Sequence, residues 1–186
     1  MLGYTRVVMA TRDAAVARLR SLIRDVPDYP LPGIIFKDIT ALLGDARAVR
    51  DAVDLMAAPY RDAGIEIVAG VESRGFILGG AVAYLLNAGF APVRKQGHLP
   101  GATISIAYEL EYGDAVLEMH ADAIVSEQRV LVVDDLLATG GTAAAAVSLV
   151  EQMAGKIVGL AFLIELAQLG GAAALGSRPY TTVMRL

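Results

Sequence analysis

The chain has 186 residues, of which 55% are hydrophobic and 19% are charged. This composition excludes a disordered chain, because apolar burial can offset the entropy of folding, and the length predicts a single domain. The net charge is −4, so no general basic surface for nucleic acid or anionic lipid is expected. The chain has no cysteine, which excludes disulfides and a Cys nucleophile and fits the cytoplasm. No apolar run reaches the ~20 residues of a membrane helix, so no membrane span is expected.

Two helices are predicted in the first third of the chain. Apolar residues at helical spacing predict a helix over residues 11–26, with Thr11 as its N-cap, and two prolines in residues 28–33 end it. A second helix is predicted from the N-cap Asp45 to Gly64, although Pro59 can end its regular part early.

The rest of the chain predicts an α/β fold with a central parallel sheet flanked by helices. Residues 75–89 and 142–154 are rich in Ala, Leu and Val and each follows a predicted buried strand, as in βαβ units. The predicted strands are residues 65–69, 90–94, 130–133 and 157–164. Residues 103–120 alternate around a turn and predict an inserted β-hairpin or flap.

Two acids and a glycine-containing loop follow the third predicted strand. Asp134 and Asp135 precede residues 136–142. At the carboxyl end of a parallel strand, backbone N–H groups of such a loop can hold a phosphate, while carboxylates accept hydrogen bonds from hydroxyls or hold a divalent cation. The pattern therefore indicates a sugar phosphate, although a plain turn with solvated acids is the alternative. The chain has neither a Walker loop nor a dinucleotide-binding glycine motif.

Residues 132–142 resemble the phosphoribosyl pyrophosphate (PRPP) motif of the type I phosphoribosyltransferases. Four more segments occur in the same order as in the adenine phosphoribosyltransferase family, and the resemblance extends over about residues 28–166. These segments are residues 32–39, 72–76, 94–101 and 110–113. The resemblance implies a type I phosphoribosyltransferase fold as one domain over residues 1–186, with an N-terminal helix and hood over 1–40 and a flexible flap over 95–121.

The resemblance also implies the activity. It is purine salvage by Mg²⁺-dependent transfer of the phosphoribosyl group from PRPP to adenine, which gives AMP and pyrophosphate through an oxocarbenium-like transition state. Mg²⁺ is expected mainly on PRPP, with no separate protein metal site, and the protein is expected to be a homodimer without nucleic acid or membrane partners. The alternatives are a 6-oxopurine acceptor and a PRPP-sensing regulator without turnover.

Site residues follow from the same resemblance. Asp134 and Asp135 are expected to bind the ribose hydroxyls, and Arg74 is expected to be catalytic by donating to the leaving oxygens. The 5′-phosphate ligands are Ala138, Thr139, Gly140, Gly141 and Thr142. The remaining PRPP ligands are Glu72, Ser73, Arg94 and Lys95. Relatives often have a cis non-proline peptide bond in residues 72–75. Read without the family, Arg74 is an ordinary surface arginine.

The expected contacts to the acceptor base come from separate parts of the chain. The expected adenine contacts are the main chain of Ile35 and Lys37 and stacking by Phe36 and Leu166. Glu111, at the flap tip, is expected to be catalytic by accepting the proton from adenine N7. Without the family, Phe36 would be a core residue and Glu111 a solvated turn acid.

Two positions depart from the family pattern. Relatives commonly have Lys where this chain has His98, and often have Arg where it has Lys37. Histidine is mostly neutral at pH 7, so a contact between His98 and pyrophosphate is doubtful on this basis. If the contact exists, affinity for PRPP should strengthen below neutral pH.

Overall fold

We describe the fold from a computed structural model, which describes residues 2–110 and 113–186. The chain divides into two compact units, Met1–Leu55 and Met56–Leu186. The first unit is longer than the predicted hood, because residues 41–55 also belong to it. Within the described residues, no helix has both the length and the hydropathy to cross a bilayer.

The N-terminal unit contains a long helix, a two-stranded sheet, a short helix and all but the last two residues of a further helix. These are α1 (Leu2–Ser21), β1 (Arg24–Pro27), β2 (Ile35–Asp38), α2 (Thr40–Leu43) and α3 (Ala46–Ala57). The prediction for the first helix is wrong at both ends, because Thr11 lies inside α1 and Val26 lies in β1. Val26 pairs with Phe36 in an antiparallel ladder, and this non-local pairing overrides the helical spacing.

The prediction for the second helix start is confirmed. The Asp45 carboxylate accepts hydrogen bonds from the N–H groups of Arg47, at 2.9 Å, and Ala48, at 2.8 Å, as an N-cap does. The early end is also confirmed, since α3 stops at Ala57 and Pro59 lies in a 3₁₀ helix over Ala58–Tyr60. Proline removes the N–H that would continue the α-helix.

The C-terminal unit contains a seven-stranded sheet in the order β5-β6-β4-β3-β7-β8-β9. Its strands are β3 (Ile67–Val71), β4 (Gly89–Lys95), β5 (Thr103–Leu110), β6 (Gly113–His120), β7 (Arg129–Leu137), β8 (Lys156–Glu165) and β9 (Tyr180–Arg185). The five strands from β4 to β9 in this order are parallel, which confirms the predicted parallel centre. The predicted hairpin is β5 and β6, and it extends the sheet because β6 pairs antiparallel with β4.

Two helices follow the central strands directly. These are α4 (Arg74–Leu86), after β3, and α5 (Gly141–Gln152), after β7. One buried cluster includes Val130 and Val132 of β7, Phe162 of β8 and Leu149 of α5, so this helix seals one face of the sheet. On α4, a Cβ at Gly79 would come within 3.1 Å of the Phe90 ring and 3.4 Å of Gly70 Cα, so glycine permits close packing there.

Candidate active site

The carboxyl ends of β3 and β7 form the candidate active site. The two strands are adjacent and parallel, so the residues that follow them meet at the same edge of the sheet. A cavity of about 290 Å³ lies there. It is lined by Val71, Glu72, Ser73, Arg74, Lys95, Tyr108, Leu117 and residues 134–143. The structure therefore brings together every residue predicted to bind PRPP except Arg94, which lies outside this lining.

The loop from β7 to α5 consists of residues 138–140. Gly140 has a φ of +88°, a conformation that glycine adopts readily, and it leads directly into α5. The first regular helical bond runs from the Ala144 N–H to the Gly140 carbonyl, at 2.9 Å. The preceding N–H groups at a helix start have no intrahelical acceptor, so they can bind an anion. Thr142 donates its hydroxyl to that of Tyr108, at 3.3 Å.

The β7–α5 loop packs against a second glycine far along the chain, in the 3₁₀ helix Gly171–Leu175. A Cβ at Gly171 would overlap the Ala138 carbonyl oxygen and lie 3.0 Å from the Gly140 nitrogen. A Cβ at Gly140 would in turn overlap the Gly171 carbonyl oxygen and lie 2.7 Å from Ala174 Cβ. The two backbones thus touch directly. Sequence reasoning missed Gly171, and the adjacent pair Gly170–Gly171 after the last predicted strand was the available signal.

Two carboxylates at the end of β7 face a desolvated environment. Burial, and secondly the negative charge of Asp135, raise the pKa of Asp134 well above its ordinary value. Burial also raises the pKa of Asp135, although the nearby charge of Arg74 opposes that rise. The Asp135 N–H donates to Asp134 Oδ1 at 2.8 Å, which fixes the orientation of that carboxylate. The pair is consequently held ready for hydroxyl donors or a cation, either of which would favour the charged forms.

Arg74 links the two strand ends. Its Nε lies 3.0 Å from Asp135 Oδ2, which is buried and finds no aligned hydrogen-bond donor within residues 2–110 and 113–186. The next residue, Gly75, packs against Asp134, since a Cβ there would lie 2.9 Å from Asp134 Oδ1. The peptide bond between Glu72 and Ser73 is cis. Arg74 thus contributes to a built site, in contrast to the surface arginine that its sequence alone would indicate.

Glu72 turns its carboxylate toward the start of the flap. Glu72 Oε2 accepts from Arg94 Nε at 3.0 Å and from the Lys95 N–H at 3.2 Å. Its Oε1 lies 2.9 Å from His98 Nδ1. Burial works to raise the pKa of Glu72, but the hydrogen bonds from His98, Arg94 and the Lys95 N–H together lower it. Neither Arg94 nor His98 lines the cavity, whereas Lys95 does.

The residues assigned to adenine lie in both units. In the N-terminal unit, Phe36 is half-buried and contacts Tyr29 edge to face at 5.1 Å, and Lys37 Nζ forms an ion pair with Asp25 at 2.7 Å. Ile35 is exposed. In the C-terminal unit, Leu166 is buried, directly after β8.

The proposed proton acceptor, Glu111, lies outside the described residues. The search for a metal centre also covers only the described part of the chain, where no group of three or more His, Cys, Asp or Glu side chains could hold a metal ion.

Comparison with known proteins agrees with this architecture. The family described as phosphoribosyl transferase domain matches residues 40–175. The adenine phosphoribosyltransferase of Nitrobacter hamburgensis is 54% identical over 168 residues, which cover 89% of this chain and 94% of that protein.

Two solved structures extend the comparison to the fold. The crystal structure of the Rhodothermus marinus adenine phosphoribosyltransferase superimposes with a TM-score of 0.91 at 50% identity, covering 94% of this chain and 99% of that one. The Saccharomyces cerevisiae enzyme, solved with adenine and an imino-altritol bisphosphate, gives 0.86 at 34% identity and covers 92% and 99% of the two chains. On these grounds, the chain is a transferase that belongs to the adenine phosphoribosyltransferase family.

Proposed function

We propose that the enzyme transfers the phosphoribosyl group of PRPP to adenine, with Mg²⁺, and forms AMP and pyrophosphate. The main support is the cavity. In it, Asp134 and Asp135 adjoin the β7–α5 loop on one side and Ser73 and Arg74 on the other. In the reaction, adenine N9 bonds to the anomeric carbon, the bond from that carbon to the pyrophosphate oxygen breaks, and the base loses a proton from N7. No side-chain nucleophile is needed, so the protein acts by positioning and by charge.

The β7 end of the cavity would hold the ribose 5-phosphate half of the donor. The N–H groups at residues 138–142 and the hydroxyls of Thr139 and Thr142 would bind the 5′-phosphate, since a helix start favours an anion. Asp134 and Asp135 would accept hydrogen bonds from the ribose hydroxyls. Because burial raises the pKa of both carboxyls, hydroxyl donors and the incoming cation would draw them back to the charged form.

The chemistry of the two β7 carboxylates fits Mg²⁺. Mg²⁺ is commonly bound through one or two carboxylates together with substrate phosphates, and the buried Asp135 Oδ2 has no aligned donor. We therefore propose that the ion arrives mainly on PRPP and that Asp134 and Asp135 face its coordination sphere. When bound, Mg²⁺ would neutralise charge on the departing pyrophosphate.

The β3 end of the cavity would hold pyrophosphate. Ser73 and Arg74 line it, and the guanidinium offers a planar set of donors that suits phosphate oxygens. Lys95 would add a positive charge from the start of the flap. Arg94, which contacts Glu72 and the His98 carbonyl, would act on pyrophosphate from outside the cavity lining.

The acceptor base is proposed to be adenine. The yeast relative was solved with adenine, and this supports adenine as the acceptor. We propose that Phe36 and Leu166 stack on the base, that the main chain of Ile35 and Lys37 reads its edge, and that Glu111 accepts the N7 proton.

The enzyme is further proposed to be a cytoplasmic homodimer. Ile77 and Tyr84 lie seven residues apart, so they share one face of α4, and they are 53% and 88% exposed. A second copy on this face would remove their apolar surface from water. Light scattering of the purified protein tests this, and a Tyr84→Glu variant should become monomeric if the face is the interface.

An acceptor assay tests the main proposal. The protein is mixed with PRPP and Mg²⁺ and, separately, with adenine, hypoxanthine or guanine, and both pyrophosphate and nucleotide are quantified. We expect equal amounts of pyrophosphate and AMP with adenine only. Product with a 6-oxopurine would reassign the acceptor. PRPP binding without turnover on any base would indicate a sensor.

A further inference from the structure

Glu72 connects the β3–α4 loop, residues 72–73, to the flap base, by which we mean residues 94–98. The Glu72 N–H donates to the Val93 carbonyl at 2.9 Å, and its carboxylate accepts from Arg94 Nε, the Lys95 N–H and His98 Nδ1. The Glu72 side chain is 13% exposed and that of His98 is 46% exposed. A single largely buried carboxylate therefore meets three donors from the chain segment 94–98.

His98 is held in place by its backbone before its side chain makes this contact. Its N–H donates to Glu118 Oε1 at 3.0 Å, as does the Leu99 N–H at 2.8 Å, and its carbonyl accepts from Arg94 Nη1 at 2.8 Å. Glu118 is buried on β6. The imidazole thus reaches Glu72 from a fixed turn, so the contact is part of the built fold at the flap base.

We infer that Glu72 and His98 form a positioning pair that fixes the β3–α4 loop against the flap base, and that this pair sets the affinity of the pyrophosphate subsite for PRPP. This inference rests on the function proposed above. Glu72 directly precedes Ser73 and Arg74, and it also binds the backbone of Lys95, so it touches both walls of that subsite. The pair acts through its neighbours, and neither side chain is required to touch the substrate.

The contact depends on which ring nitrogens of His98 carry a proton. Because Nδ1 faces both oxygens of a carboxylate, at 2.9 and 3.0 Å, it carries the proton and donates it. Among the described residues, the charged side chains in contact with His98 or coupled to it are Glu72, Glu118 and Arg94, two negative charges and one positive. A second proton on the imidazole would add attraction to both carboxylates. The pair should therefore tighten as pH falls.

The test compares His98→Gln and His98→Lys with wild type and with His120→Gln, which changes the other histidine of the chain. The KM values for PRPP and adenine and kcat are measured between about pH 6 and pH 8. Each KM and kcat of a variant is divided by the wild-type value at the same pH, so the effect of PRPP titration cancels. The double variant Glu72→Gln/His98→Gln, with Glu72→Gln alone, completes a mutant cycle.

For His98→Gln, we expect the KM ratio for PRPP to be close to one at the alkaline end and about twofold to fivefold at the acidic end, because the contact is partly exposed. His98→Lys should keep the low KM for PRPP at every pH. The KM for adenine and the ratios of His120→Gln should not change. In the Glu72→Gln background, His98→Gln should have no further effect.

Three results would overturn the inference. They are a KM ratio for His98→Gln that does not vary with pH, an equal change in the KM for adenine, and a His98→Gln effect that persists in the Glu72→Gln background. The last result would indicate direct contact between His98 and pyrophosphate. If wild type shows no adenine turnover, the proposed function fails separately. The same pH series on PRPP binding by calorimetry then still tests the pair.

Discussion

The two ends of the candidate donor site are formed by different chemical groups. At the β7 end, the groups proposed to bind phosphate are backbone N–H groups at the start of α5, and Gly140 packs closely against Gly171 there. At the β3 end, the arrangement depends on charged side chains, with Glu72 bound by Arg94 and His98. Substitutions that change side-chain volume should therefore disrupt the β7 end. A change in the protonation of the charged side chains should instead alter the β3 end.

The largest expected effect comes from the acids that we propose bind the ribose hydroxyls. Asp134→Asn should lower kcat/KM for PRPP by about a hundredfold to a thousandfold, because charge-assisted hydrogen bonds to hydroxyls are lost. The folded-state pKa of Asp134 is raised, so the contribution of this carboxyl to stability is greatest at low pH and is lost as pH rises through that pKa. Since asparagine removes this loss, the thermal midpoint at neutral pH should stay equal or rise.

Steady-state kinetics and thermal melts check both halves of this prediction. Asp62→Asn, at an exposed position, is the control and should change neither quantity. A clear fall in the melting temperature of Asp134→Asn would contradict the account, because the carboxylate would then hold the fold together.

A smaller effect is expected at the glycine contact. Gly171→Ala should raise the KM for PRPP by about tenfold to a hundredfold, since overpacking by one methyl group typically costs about 1–3 kcal/mol. The methyl group would overlap the Ala138 carbonyl and displace the β7–α5 loop. Gly44→Ala is the control, because its φ is −79° and a Cβ there would lie 3.5 Å from the Thr40 carbonyl oxygen, an ordinary contact distance. An unchanged KM with only a lower melting temperature would make Gly171 purely structural.

The smallest effect concerns the stability of the protein at acid pH, to which Glu72 and Glu118 contribute. The N–H groups of Leu99 and His98 help to lower the pKa of Glu118, and hydrogen bonds outweigh burial to lower that of Glu72. Lowered carboxyl pKa values stabilise the fold above the ordinary glutamate range, near pH 4.5, and the gain is lost as pH falls through the folded values. Urea midpoints of Glu118→Gln should therefore fall less steeply than those of wild type below that range.

Exposed Glu127 supplies the control for this series. Glu127→Gln should keep the acid dependence of wild type. If Glu118→Gln loses stability on acidification as steeply as wild type, the proposed acid linkage is wrong.

The frame of the fold could be predicted because its signals are local. The apolar runs of β7 and β8 and the small residues of α5 identify the βαβ units, and Asp45 caps α3 through neighbouring N–H groups. Two elements required non-local information. Val26 leaves the helical pattern because it pairs with Phe36. No strand was predicted at β9, in which only Val183 and Met184 are buried and which takes its place through pairing with β8.

The same division applies to the site. The residues of the β7–α5 loop are contiguous, so their motif was readable and the structure places them together. Gly171 and Tyr108 contact this loop from distant parts of the chain, and the Gly170–Gly171 pair, the one local signal, does not say which segment it touches. The orientation of Glu72 toward His98 likewise depends on how β4 and β6 pair.

The central claim is that PRPP lies between the two strand ends, and a crystal structure with PRPP and Mg²⁺ tests it most directly. We expect the 5′-phosphate on the N–H groups of residues 138–142, the ribose hydroxyls within hydrogen-bond distance of Asp134 and Asp135, and pyrophosphate beside Ser73 and Arg74. An empty β7–α5 loop with the donor bound elsewhere would contradict the account.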